Sequence, residues 1–125
     1  MEKKLITLVR EEAKFLRDNL KSIEKRRIVF KNLRTTDATK CIYGLATGNC
    51  YSTRALTLIS QGCKEVYKGS ILNPKSAIKA KGIEKRRMYN LWSPIEIFLV
   101  KNRYNPATLK NLIRYIKGNS ETLDI

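Results

Sequence analysis

Apolar residues return every three or four positions across the first quarter of the chain, at Leu5, Leu8, Val9, Ala13, Leu16, Leu20 and Ile23, with charged residues between them and neither glycine nor proline. That spacing lays them on one stripe of a 3.6-residue helix. The pattern therefore predicts an amphipathic helix over residues 3–27, about 35 Å long at 1.5 Å per residue. Asp37 is placed to cap a shorter helix over residues 38–47, with Cys41, Ile42 and Leu45 on one face and Gly48 as its stop. Ser52 caps a further helix that carries Ala55, Leu56 and Ile59 and ends at Gly62.

The end of the chain is the most strongly signalled. Ser93-Pro94-Ile95-Glu96 combines an N-cap serine, proline at the first helical position and glutamate three residues after the cap, ahead of an apolar run over residues 97–100. Asn105-Pro106 opens the next helix, in which Leu109, Leu112, Ile113 and Ile116 keep helical spacing up to Gly118, while Lys110, Arg114 and Lys117 line another side. Residues 63–82 are the least regular, with turns at Gly69 and Asn73-Pro74. The β-branched run over residues 28–30 and the stretch 65–67 supply the material for a two-stranded sheet. The expected fold is mainly α: one small domain of about five helices over residues 1–118, with room for a minor two-stranded β element, and a short tail over 119–125.

Charge changes the picture. The chain has 125 residues, 26 Lys plus Arg against 11 Asp plus Glu, a formal net charge of +15 and a pI near 10.0. At this charge self-repulsion destabilises the compact state, which points to a polyanionic partner. The cations are not evenly spread: residues 61–90 hold eight, at Lys64, Lys68, Lys75, Lys79, Lys81, Lys85, Arg86 and Arg87, opposed only by Glu65 and Glu84. The pentapeptide Ile-Glu-Lys-Arg-Arg occurs twice, at residues 23–27 and 83–87, each time beside apolar or aromatic residues that can anchor it.

The candidate nucleic-acid contacts are therefore Lys25, Arg26 and Arg27 from the first copy, Lys85, Arg86 and Arg87 from the second, and Lys75, Lys79 and Lys81 between them. The arginines are favoured for phosphate, because the guanidinium fork binds it through two parallel hydrogen bonds. Tyr89 and Tyr104 stand near basic residues where bases can stack, whereas Trp92 abuts the capping box and is expected in the core. Glu11, Glu12 and Asp18 read as the polar face of the first helix.

Catalytic chemistry finds little support. The chain has no histidine, hence neither the commonest general base nor the commonest metal ligand. Cys41, Cys50 and Cys63 are odd in number and widely spaced, which fits reduced thiols and neither a disulfide framework nor a zinc site. Gly-Leu-Ala-Thr-Gly over residues 44–48 lacks the Lys-Ser/Thr of a phosphate loop. No cofactor or metal is expected, and no enzyme. No apolar run is long enough for a membrane helix and no signal peptide is evident, so the expected setting is the cytoplasm, without a membrane partner.

The stretch over residues 41–55, Cys-Ile-Tyr-Gly-Leu-Ala-Thr-Gly-Asn-Cys-Tyr-Ser-Thr-Arg-Ala, in a small Lys-, Ile- and Asn-rich chain, resembles in general character the accessory proteins of phages and mobile elements of low-GC bacteria. That resemblance implies an inhibitor of host machinery, anti-CRISPR proteins among them, and it assigns no residue a role. Three functions follow as expectations: a non-enzymatic binder of nucleic acid, RNA favoured over DNA, within a ribonucleoprotein; an inhibitor of a host defence nuclease acting on the effector and its guide RNA; and a helix-turn-helix DNA regulator built on the helices flanking residues 48–51.

Overall fold

A computed structural model describes residues 5–34, 39–50, 52–62 and 93–125. The first apolar stripe forms α1 (Leu5–Asn19), which buries Leu8, Val9, Ala13, Phe15 and Leu16. The helix expected over residues 3–27 is two helices. Lys21 is extended, at φ −74° and ψ 159°, and α2 (Ser22–Arg27) begins after it.

The break has a side-chain cause that propensity does not show. Glu24 reaches back so that its Oε1 accepts the Lys21 N–H at 2.8 Å, capping the start of α2. The Asn19 carbonyl, released from the helical ladder, accepts from Arg54 Nη2 at 2.9 Å. As the chain turns, Glu24 swings inward, while Ile23, which the unbroken stripe placed on the apolar face, is left 48% exposed. Ile28 becomes the buried anchor of this segment. A 3₁₀ turn (Phe30–Asn32) follows.

α3 (Ile42–Thr47) starts later than expected, behind Cys41, whose thiol accepts the Gly44 N–H at 3.4 Å. The proposed cap Asp37 lies outside the described residues. Gly48 ends the helix at φ 99°, a left-handed conformation open to glycine. The glycine-bearing stretch 44–48 is thus helix and cap. Ser52 starts α4 (Thr53–Gly62) as expected, its Oγ accepting the Ala55 N–H at 3.1 Å. Cys41 and Cys50 are buried free thiols; Cys63 lies outside the description.

The closing helices follow the sequence signals. Before α5 (Pro94–Lys101), Ser93 Oγ accepts the Glu96 N–H at 3.2 Å, and before α6 (Pro106–Ile116), Asn105 Oδ1 accepts the Thr108 N–H at 3.2 Å. Between them Arg103 and Tyr104 are both left-handed, at φ 55° and 54°. The turn they make is closed by the Tyr104 N–H on the Leu99 carbonyl at 2.8 Å. Tyr104 itself is partly buried against the core.

α1 is the central element: α4, α5 and α6 pack around it, while α2 packs on α3 and α3 on α4. Val9, Ala13, Leu16, Leu58, Leu99, Leu112 and Ile116 fill the interior with no exposed surface. At its middle lies Glu12, which is fully buried and corrects its reading as part of a polar face. Its Oε2 accepts the Tyr43 hydroxyl at 2.6 Å and its Oε1 the Ile95 N–H at 2.7 Å. One carboxylate thus ties α1 to α3 and to the N-terminus of α5, where negative charge suits the helix dipole.

Residues 119–125 lie along α1 and α6. Arg10 Nη1 donates to the Leu123 carbonyl and Arg17 Nη1 to the Ser120 carbonyl, each at 2.9 Å, and Asn111 Nδ2 donates to the Asp124 carbonyl at 3.0 Å. Leu123 is buried beneath them. The protein is mainly helical, with six α-helices and no strand among the described residues; the stretch 65–67 of the expected sheet lies outside them. No described helix is long and apolar enough to cross a membrane.

Candidate nucleic-acid interface

The first Ile-Glu-Lys-Arg-Arg copy occupies the whole of α2 after Ser22, and its orientation is set by its one acid. Glu24 Oε2 accepts Arg54 Nε at 2.8 Å and Glu24 Oε1 accepts Arg54 Nη2 at 2.9 Å, a two-pronged pair from α2 to α4. Hydrogen bonding from Arg54 holds the Glu24 carboxyl below its ordinary range. Burial opposes that shift, and the Lys21 N–H assists it. Reciprocally, Glu24 raises the Arg54 guanidinium. Glu24 is turned in, whereas of the three cations after it Arg26 and Arg27 are exposed and Lys25 is half-buried.

Those three do not act as one cluster. Lys25 and Arg26 share a helix face with Ser22 and meet Lys117 and Asn119 across a groove of about 330 Å³. Among the described residues, the groove is lined by three cations, a hydroxyl and an amide, with no carboxylate. Arg27 points elsewhere, its Nη1 donating to the Ala46 carbonyl at 3.3 Å. Lysine, arginine and neutral donors converging from two helices suit phosphate oxygens.

The opposite wall is fixed by the end of α6. The Lys117 N–H donates to the Ile113 carbonyl at 2.9 Å. Gly118 then turns left-handed at φ 82°, so that its N–H meets the Tyr115 carbonyl at 3.0 Å and the Asn119 N–H meets the Arg114 carbonyl at 2.8 Å. The next residue, Ser120, is held by Arg17, which also lies 4.7 Å over the Tyr115 ring and 3.8 Å from Glu121. The groove wall is thereby part of the packed domain.

Of the residues singled out by sequence, Lys25 and Arg26 enter the groove and Arg27 does not. Lys75, Lys79, Lys81, Lys85, Arg86, Arg87 and Tyr89 lie outside the described residues, as does Trp92. Sequence reasoning missed Ser22, Lys117 and Asn119. Lys117 was visible as a member of a basic helix side, but no sequence signal brings residue 117 beside residue 25. Among the described residues, no group of three or more metal-ligating side chains forms.

Comparisons of the chain with protein-family models, with curated proteins and with solved structures returned no match.

Proposed function

We propose that this protein is a non-enzymatic binder of nucleic acid, RNA in preference to DNA, acting in the cytoplasm as a component or inhibitor of a ribonucleoprotein. The observation that carries the reading is the groove between α2 and α6, where Lys25, Arg26 and Lys117 converge with no acid among the described residues, in a chain of net charge +15. A duplex-reading helix-turn-helix gains no support from α4. That helix has a single cation, Arg54, which is engaged by Glu24 and Asn19. A local groove that gathers donors from two helix ends suits a flexible single strand better than a rigid duplex groove.

The test is binding of a fluorescent single-stranded RNA across a salt series. Each phosphate contact contributes about 0.7 to the slope of log affinity against log salt. Reversing Arg26 and Lys117 to Glu should therefore flatten the slope by about 1.4 and leave the helical circular dichroism unchanged. An unaltered slope in the double variant would remove the groove from the interface, and no salt-sensitive binding by the parent protein would remove the reading. Recovery of a nuclease effector that survives nuclease treatment and high salt would assign the basic surface to a protein partner instead.

A further inference from the structure

The charges that line the groove restrict which part of a strand it can take. Two residues beyond Asn119 in the chain, Glu121 carries a carboxylate that is 92% exposed. Arg17, beside it, is engaged by the Ser120 carbonyl and Glu121. On α2, Arg27 is turned to the Ala46 carbonyl, while Lys21, just before Ser22, is exposed.

Among the described residues, Lys25, Arg26 and Lys117 line this one groove. Three cations around one groove exceed what a single phosphodiester, with one negative charge, requires. A terminal phosphomonoester carries about −1.5 to −2 at neutral pH and offers three strong acceptor oxygens, which Lys25, Arg26 and Lys117 together match. Beside them is Ile23, a large apolar residue left 48% exposed by the break after α1. It lies one turn from Arg26 on the surface of α2, where it presents an apolar contact to the sugar or base of the nucleotide that bears the phosphate.

We propose that the groove receives the phosphorylated end of a nucleic-acid strand, with Lys25, Arg26 and Lys117 on the terminal phosphate, Ser22 and Asn119 supplying neutral hydrogen bonds, and Ile23 against the end nucleotide. This rests on the nucleic-acid reading and narrows it from the strand to its terminus.

The experiment compares one single-stranded RNA sequence in four forms: 5′-hydroxyl, 5′-phosphate, 3′-phosphate and covalently circular. One phosphorylated form should bind at least about tenfold tighter than the hydroxyl-ended strand and the circle, the factor that one further charge-assisted hydrogen bond supplies. R26E and K117E should each abolish that preference while keeping residual salt-dependent binding, and Ile23→Ser should reduce it without changing the salt slope. Equal binding of all four forms overturns the terminal-phosphate proposal and leaves the nucleic-acid reading standing. Failure of every form to bind at low salt overturns both. Competition by a phosphopeptide as strong as that by the phosphorylated strand would overturn the nucleotide assignment, since a peptide provides no base or sugar for Ile23.

Discussion

Replacing Arg54 by Ala tests the joint on which the groove depends. The substitution removes two charge-assisted hydrogen bonds to Glu24, at 2.8 and 2.9 Å, and one to the Asn19 carbonyl at 2.9 Å. Glu24 is buried and keeps only the Lys21 N–H among these partners. Breaking a buried pair from one side costs about 3–5 kcal/mol. Arg54 retains about a third of its side-chain exposure, 32%, so water can reach the vacated position and the lower end, about 3 kcal/mol, is expected. For a domain whose total stability is about 5–15 kcal/mol that is a large fraction, readable as a lower urea midpoint at neutral pH.

The pH dependence supplies a second reading of the same pair. The Glu24 pKa is depressed by Arg54 below its ordinary value of 4.5. The folded form therefore binds fewer protons than the unfolded one in that region, and the pair's contribution is full above the ordinary value. It is lost as pH falls through the lower folded value. Parent protein should lose stability through this acid window, and Glu24→Gln should lack that component of the loss. Combining E24Q with R54A should cost less than the sum of the single changes, because the second removes a partner the first has already weakened. An R54A protein within 1 kcal/mol of the parent, roughly the worth of an exposed pair, would refute the argument that this contact orients α2.

Tyr43→Phe removes the hydroxyl that donates to the buried Glu12 carboxylate at 2.6 Å; chemical denaturation should show a loss of about 1.5–3 kcal/mol, the range for a hydrogen bond to a charged group. Gly48→Ala meets no atom within 4 Å but forces φ 99° on a residue with a Cβ, so the melting temperature should fall by the equivalent of about 1–2 kcal/mol for that backbone conformation, with RNA binding unchanged.

Local signals were legible wherever local chemistry decides the structure. Ser52, Ser93-Pro94 and Asn105-Pro106 start helices, Gly48 ends one, and Leu109, Leu112, Ile113 and Ile116 are buried together as their spacing requires. Where a distant residue decides, the sequence misled. No glycine or proline announces the break after Asn19, because it is held by Glu24 and by Arg54, 35 residues further on.

Glu12 was readable in retrospect. It stands four residues after Leu8 and four before Leu16, inside the apolar stripe, and its charge concealed its position. Of the groove, the α2 half was visible as a basic cluster. The α6 half depends on how Lys117 and Asn119 are brought to α2 by packing, which spacing along one helix does not encode.

The docking of the last residues onto α1 bears on how the chain is made. Arg10 and Arg17 take carbonyl partners 113 and 103 residues ahead of them, and Glu12 takes an amide 83 residues ahead. Helices emerging from the ribosome can form at once from local contacts, but in α1 Glu12 meets Tyr43 31 residues later and Ile95 only 83 residues later, and Arg10 and Arg17 wait for more than a hundred residues. Synthesis at about 5–20 residues per second leaves that helix incompletely packed for many seconds, in a compartment rich in ribosomal RNA. A basic protein that folds so late must complete its own interior while surrounded by the kind of polyanion it is proposed to bind, and the acids at Glu12 and Glu24 are the internal competitors for its arginines and backbone donors during that interval.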